Sequence, residues 1–70
     1  MKNKEIVFLV EESLDGGYEA RAAGYTIFTQ GETIEEVKKN ILDAVRCHFD
    51  DSEVPSFVYV RFLKEELIAL

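Results

Sequence analysis

The stretch Thr29–Asp51, TQGETIEEVKKNILDAVRCHFDD, predicts a sharp turn followed by a capped helix, and it decides the fold of the chain. The helix is expected to begin at Thr33, whose hydroxyl can accept a hydrogen bond from the Glu36 backbone N–H while the Glu36 side chain bonds back, forming a capping box. Glu32, Glu35 and Glu36 also place negative charge at the positive end of the helix dipole. Three separate signals therefore agree on where the helix starts.

An apolar stripe at helical spacing runs through this helix, which predicts that one of its faces packs against a sheet. The polar cluster 50–53 and then Pro55 are expected to end the helix, because the residue before a proline avoids the helical region. The stripe consists of Ile34, Val37, Ile41, Ala44, Val45 and His48, widened by Leu42 and Phe49.

The remaining residues have the patterns of strands. The uninterrupted apolar run Ile6–Val10 predicts a central strand over residues 5–12 with apolar side chains on both faces of the sheet. One face would meet the helix, and the other would need cover from a neighbouring subunit or a partner. The segment SLDGG at 13–17 predicts a hairpin turn, because Asp-Gly and Gly-Gly supply the positive φ angles of tight reversals.

Three further strands are expected on composition and alternation. They are predicted over 18–23, over Tyr25–Gln30 and over Ser56–Lys64. The last residues, Glu65–Leu70, allow either a helical turn that packs Leu67 and Leu70 or a frayed end. The chain is thus predicted to be one α+β domain over residues 1–70, in the order β-β-β-α-β, with an antiparallel sheet and one helix packed on one face.

Chain length and composition limit the function classes. A domain of 70 residues buries only about 60% of the surface of its unfolded chain, so we expect a homo-oligomer, a dimer or higher. No apolar run approaches the ~20 residues that span a bilayer, and the apolar run that follows Lys2 and Lys4 is too short for a signal peptide. The single cysteine cannot form an internal disulfide. These features predict a cytoplasmic protein that does not bind membranes.

The formal net charge is −6, and the acidity lies on and around the helix. Nucleic-acid phosphates favour surfaces rich in lysine and arginine, so no direct contact with nucleic acid is expected. The charge permits two interpretations. It can serve a basic protein partner, or it can be a solvated surface that keeps the domain soluble.

Cys47 and His48 are the chain's only soft metal-ligand residue types. They are adjacent on the predicted helix, so their side chains diverge by about 100°. A zinc site needs at least two more ligands, for which only Asp50 and Asp51 are near. We expect instead a partly buried thiol and a half-buried histidine in the helix seam.

Four carboxylates, Glu11, Glu12, Asp15 and Glu19, flank the first hairpin. Paired carboxylates can act in acid–base or magnesium-assisted hydrolysis, but exposed hairpin acids mainly confer solubility.

Two glycine-containing turns could in principle bind an anion. Gly16–Gly17 is not a phosphate loop, because no lysine follows and the next element is a strand. Gln30–Gly31 could present backbone amides to an anion at the helix N-terminus, but the glutamates at 32, 35 and 36 would oppose it. We therefore predict no catalytic residue, no metal ligand and no cofactor-binding residue, and no enzyme activity.

The segment GGYEARA at 16–22 and the turn Thr29–Glu36 make the chain similar to the HicB-like antitoxin family, whose N-terminal domain has a glycine-containing first hairpin and a T-Q-G-[DE]-T-x-x-E turn into its helix. Ile41, Ala44 and Val45 fall where that helix carries apolar residues. The resemblance covers almost the whole chain. It implies a partial ribonuclease H-like fold, dimerisation, and binding and neutralisation of a small basic RNA-cleaving toxin, without nuclease activity of its own.

The sequence departs from the family at two points. Thr26–Phe28 replaces a Pro-Gly-Cys segment, and no C-terminal DNA-binding module follows, so we expect a stand-alone, single-domain branch that does not bind operator DNA. Two alternatives to the antitoxin-like binding module remain. One is a structural or regulatory subunit of a larger assembly; the other is a small hydrolase that uses the hairpin acids or the Cys47–His48 pair.

Overall fold

A computed structural model of the protein describes residues 5–64 and 66–70. The α+β class and the β-β-β-α-β order are confirmed. Residues 1–4, which precede the apolar run, lie outside the described residues. The elements are β1 Glu5–Glu12, β2 Tyr18–Ala22, β3 Phe28–Gly31, α1 Ile34–His48, a short 3₁₀ turn Asp51–Glu53, and β4 Phe57–Phe62.

The four strands form one sheet in the order β3-β2-β1-β4, so the predicted central position of β1 is confirmed. The β1–β2 and β2–β3 pairs are antiparallel, as expected. β4 differs from the predicted antiparallel sheet, because it runs parallel to β1 with Phe57 opposite Glu5. The reason is that α1 carries the chain back across the sheet to the end where β1 starts, and such a crossover yields a parallel pair.

The hairpin between β1 and β2 has the predicted turn at residues 13–17. The Ser13 N–H donates to the Gly17 carbonyl at 3.0 Å, and the Gly16 N–H donates to the Ser13 carbonyl at 3.1 Å. Gly16 and Gly17 have φ angles of 93° and 80°. These angles lie in the left-handed region that glycine adopts without steric cost, so the sequence signal and the backbone agree.

β3 is shorter than predicted and begins at Phe28 rather than Tyr25. Gly24 turns the chain, and the Ala22 N–H then closes the loop by donating to the Ile27 carbonyl at 3.0 Å. Ile27 is buried in the core although it lies outside the strand. The apolar side chain of Ile27 is therefore explained by burial in a loop rather than by pairing in a sheet.

The predicted cap of α1 is confirmed, with one change. Thr33 has extended backbone angles, and its Oγ1 accepts a hydrogen bond from the Glu36 N–H at 3.0 Å. The Glu36 side chain does reach back, but it accepts from the Glu32 N–H at 2.8 Å rather than from Thr33. The Glu36 side chain thus bonds to a backbone N–H one residue earlier in the chain than in the predicted capping box. At the other end, the Phe49 N–H bonds to the Val45 carbonyl and ends the helix.

The core lies between α1 and one face of the sheet. Three residues of the predicted helical stripe are buried there, while Ile34 and Leu42 are exposed and Ala44 is half-buried. The stripe is narrower than predicted because a single helix on a flat sheet buries only the row that points at it. The core residues are Ile6, Phe8, Val10, Ala20, Ala22, Ile27, Val37, Ile41 and Val45.

β4 lies at the edge of the sheet and is shorter than the predicted Ser56–Lys64. Its predicted faces are confirmed, since Val58 and Val60 are half-buried towards α1 and Tyr59 points to the opposite side. Residues 66–70 have no regular secondary structure, so the helical-turn alternative for Glu65–Leu70 is wrong within that range. Glu65 lies outside the described residues.

Gly31 permits the closest approach between the sheet and the helix. A Cβ atom at this position would lie 2.7 Å from the Val37 backbone nitrogen and 2.9 Å from its Cα. We expect Gly31→Ala to lower the free energy of unfolding by about 1–3 kcal/mol, because the first turn of α1 must move away from β3. Chemical denaturation measures this. Gly24→Asn is the control, since Gly24 faces open space at φ +84° and asparagine tolerates that region. Equal losses in both variants would contradict the close approach.

The cap supplies a second prediction. Thr33→Ala removes the acceptor of the Glu36 N–H and should cost about 1 kcal/mol in the free energy of unfolding. Thr26→Ala, at an exposed loop position, should stay within about 0.5 kcal/mol of the parent protein. Urea unfolding followed by circular dichroism compares the two. A Thr33 variant as stable as the Thr26 variant would rule out the cap.

Candidate protein-binding surface

The face of the sheet opposite α1 has no covering element among the described residues. The alternation of β1 directs Val7 and Leu9 to this face, where both are half-buried between neighbouring strands. The strand pairing places Phe28, Phe57 and Tyr59 beside them, with exposed fractions of 61%, 53% and 49%. We call these five residues the open face. Its apolar character follows from the unalternating sequence of β1 and from the aromatic residues of both edge strands.

Charged residues lie within the open face and at one end of it. Arg21 lies between Phe28 and Leu9 in the strand pairing, and Arg61 lies on the other side of Leu9. Glu11 and Glu19 stand directly opposite each other on β1 and β2. Like charges at such a position are destabilising.

The repulsion between the two glutamates is only partly offset. An ion pair of 3.2 Å joins the Arg21 Nη1 to the Glu11 Oε2, but both side chains are largely exposed. Exposed pairs contribute little to stability, about 0–1 kcal/mol. The repulsion between Glu11 and Glu19 therefore destabilises the isolated domain.

Acidic residues from separate segments meet at one end of the molecule. Tyr18 pairs with Gly31, so the first hairpin and the start of α1 lie at the same end of the sheet. Lys64 also lies there and lines a cavity with Glu11 and Glu12. Sequence reasoning found the hairpin acids and the helix acids but did not bring them together. This acidic end consists of Glu11, Glu12, Asp15, Glu19, Glu32, Glu35 and Glu36.

The four hairpin acids, which are candidate hydrolytic residues by sequence, do not all lie on the same side of the sheet. Glu11 and Glu19 point to the open side of the sheet, Glu12 alternates to the helix side, and Asp15 lies in the turn. No group of three or more His, Cys, Asp or Glu side chains among residues 5–64 and 66–70 is arranged to hold a metal ion. Of the four acids, Glu11 and Glu19 lie side by side, and this arrangement can attract positive charge.

Cys47 and His48 differ from their predicted environment, since both are exposed. They belong to the last turn of α1, which extends beyond the buried row that ends at Val45. The His48 ring makes edge contacts with Phe49 and Tyr25, at centroid distances of 4.9 and 6.2 Å. The predicted half-buried histidine and partly buried thiol are therefore wrong. Sequence reasoning did not place Tyr25 against the helix. Its ring also contacts that of Phe49, with the two ring centroids 5.4 Å apart.

The start of α1 has the features of a closed cap rather than of an anion site. A cavity of about 380 Å³ lies between the hairpin and the helix, lined by Gly16, Gly17, Gln30, Gly31, Glu32 and Glu36 among others. The N–H groups of Glu32 and Glu36 already donate within the cap. The Gln30 carbonyl accepts a 2.7 Å bond from the Asn40 side chain. Carboxylates on the cavity wall would repel an anion.

These features define a small α+β domain that presents an apolar sheet face and an acidic end. The chain is 52% identical over 67 residues to a UPF0150 protein of Thermotoga maritima, covering 96% of this chain and 94% of that protein. It is 54% identical over 50 residues to a UPF0150 protein of Archaeoglobus fulgidus, covering 71% and 74%. The chain belongs to the UPF0150 protein family.

No protein-family model matches the chain, and no solved structure is significantly similar to it. Within the part of the chain that the structure describes, no helix is both long and apolar enough to cross a membrane.

The exposure of Cys47 gives a direct test of the last helical turn. We expect its thiol to react with a thiol-specific chromogenic reagent in the native protein as readily as in the unfolded chain, because no neighbouring element covers it. Cys47→Ser should change the free energy of unfolding by less than about 0.5 kcal/mol. A thiol that reacts only after denaturation would show that the end of α1 is packed against another surface.

Proposed function

We propose that this protein is a binding module that covers a small basic partner protein, in the manner of a HicB-like antitoxin that neutralises an RNA-cleaving toxin. The observation that carries the proposal is the open face. Three aromatic side chains stand about half exposed around Val7 and Leu9 on a sheet that α1 covers only from the other side. An exposed apolar surface of this kind, with Arg21 and Arg61 interspersed, is typical of a site of protein interaction.

The side chains of the open face suit a protein partner better than a small ligand. The surface is one side of a four-stranded sheet, whereas small-molecule sites are clefts or cavities. Tyrosine and arginine dominate the binding energy of protein interfaces, and Tyr59 lies on this face beside Arg61 and near Arg21. The partner therefore meets an aromatic centre with polar residues around it.

The size of the face indicates how far the contact extends. Four strands spaced about 4.8 Å apart and roughly 20 Å long give an area on the order of 400 Å². A standard interface buries about 800 Å² on each partner. We expect the contact to continue from the open face onto the acidic end, which begins with Glu11 and Glu19.

The charge of the acidic end selects the kind of partner. Glu11 and Glu19 repel each other across the strand pair. A lysine or arginine of the partner placed between them removes that cost and adds charge complementarity, which favours fast and specific association. The partner is therefore basic.

The antitoxin role rests on the resemblance of the turn Thr29–Glu36 and of the segment 16–22 to the HicB-like family. Membership of the UPF0150 family supports a common role with its relatives, although the relatives' names specify no ligand. Under this proposal the protein inhibits its partner by occupying the surface with which the partner binds RNA. It contributes no nuclease residues of its own.

The test uses the purified full chain and extract from cells of its source organism. Affinity capture should retain a small basic protein that cleaves RNA once it is isolated. Adding the purified full chain back to this protein should stop the cleavage. The double variant Phe28→Ser/Tyr59→Ser should raise the inhibitory concentration by at least about 100-fold, because it removes two aromatic contacts. RNA cleavage monitored on a gel or with a fluorogenic substrate measures this.

Leu42→Ser is the matched control, since Leu42 is an exposed apolar residue of α1, on the opposite side of the sheet from the open face. It should inhibit as the parent protein does. A captured protein without RNA-cleaving activity would contradict the antitoxin role. Capture that is insensitive to Phe28→Ser/Tyr59→Ser would contradict the assignment of the open face.

A further inference from the structure

The second uncovered apolar surface lies between α1 and β4. Helix α1 packs over the middle of the sheet, and Asn40 bonds its other flank to the end of β3. The flank towards β4 leaves Ile34 and Leu42 exposed, and Val58 and Val60 form a half-buried floor. Cavities of about 230 and 330 Å³ lie at the two ends of this groove. We call it the α1–β4 groove.

The residues that line the cavities show that the groove runs along the full strand. One cavity joins Ile34 to Phe62 and Leu63 near the start of the helix. The other joins Leu42 to Val58 near its end. The groove therefore has apolar side chains along the length of β4, and charged residues also line each end.

The same chain carries a segment with matching chemistry. Leu67 and Leu70 are fully exposed and Ile68 is 75% exposed, although residues 66–70 follow β4 by only a few positions. We call residues 66–70 the exposed arm. The described chain measures 53 Å along its longest axis and 21 and 19 Å across. An eight-residue strand such as β1 spans only about 26 Å, so the arm stands beyond the end of the sheet.

Charge also matches between the arm and the groove. Arg46 lines the groove beside Leu42, and Lys38 lies one helical turn from both Ile34 and Leu42 on the same flank. The arm begins with Glu66. The Phe62 end of the groove is instead lined by Glu11, Glu12 and Lys64. An arm that places Glu66 at the Arg46 end and its apolar residues over the floor therefore meets complementary charge, as expected of a specific contact.

We infer that the exposed arm of one copy docks in the α1–β4 groove of a second copy, and that the exchange is reciprocal. Within one chain the arm does not fill the groove, because Leu67, Ile68 and Leu70 are exposed although β4 ends at Phe62 beside it. A two-fold pair places each arm in the partner's groove and buries both segments at once. The open face stays free in this dimer, so the inference stands apart from the proposed function.

Light scattering on the full chain tests the inference. The parent protein should have a mass of about 16 kDa, twice the 8.0 kDa of one chain. Leu67→Ser/Ile68→Ser should raise the dissociation constant of the dimer by at least about 100-fold, since each substitution counts in two copies. Leu42→Ser, in the groove, should weaken it in the same direction. Phe28→Ser should leave it unchanged, because Phe28 is 61% exposed on the opposite side of the sheet from the groove.

A crosslinking experiment identifies the contact. In a Cys47→Ser background, one preparation carries Ile68→Cys and a second carries Leu42→Cys. Oxidation of the mixture should join the two chains by a disulfide that neither preparation forms alone in comparable yield. Circular dichroism checks that each variant is folded.

Four outcomes would overturn the inference. In light scattering, these are a parent protein that stays monomeric and a dimer whose dissociation constant does not change with the arm substitutions. In crosslinking, it is an intrachain disulfide when both cysteines are placed in one dilute chain. The fourth is protection of the arm from proteolysis only when another protein is added. The two proposals fail separately. Phe28→Ser/Tyr59→Ser should preserve the dimer while it abolishes inhibition, and the arm variant should still bind the basic partner through the open face.

Discussion

The contact between the helix row Val37, Ile41 and Val45 and the core side of β1 holds the domain together. One helix lies on a four-stranded sheet, so it can bury only the strip directly beneath it. Everything else follows from that limit. The opposite side of the sheet and the flank of the helix next to β4 keep apolar side chains in contact with water, and no further element among the described residues is present to cover them.

This limit explains why the two apolar surfaces differ in character. The open face is flat and aromatic and borders the acidic end, which makes it suited to a charged partner. The α1–β4 groove is lined by apolar side chains with Arg46 at one end, which makes it suited to an extended apolar segment that begins with an acidic residue. A small domain with a single thin core can gain stability from both contacts, because anything that binds only the folded state shifts the folding equilibrium.

Much of the fold could be predicted from local signals in the sequence. The unalternating run in β1 indicated a central strand, and the Thr33 cap indicated the start of the helix, since both depend on residues close together in the chain. The parallel direction of β4 could not be obtained in this way, because it depends on where α1 returns the chain. β3 was placed too early, since the apolar side chain of Ile27 is equally compatible with a buried loop.

The candidate site was predicted in part. The sequence predicted that the second face of β1 requires a covering surface. The open face is that surface, and no element among the described residues covers it. The acidic end was missed because its members come from β1, the hairpin, β2 and α1, and only the pairing of Tyr18 with Gly31 brings them together. The environment of Cys47 and His48 was misjudged. Helical spacing gives the direction of a side chain but does not say where the sheet beneath it ends.

The pairing of β4 with β1 has a consequence for how the chain acquires its structure. β1, β2 and β3 are joined by short turns and α1 follows directly, whereas β4 must return to β1 from the opposite end of the described chain. Closing so long a loop costs entropy before any contact repays it, so this pairing forms late. Until then β1 has an unpaired edge and apolar side chains on both faces. A chain emerging from the ribosome therefore passes through a stage in which its central strand is its most aggregation-prone segment.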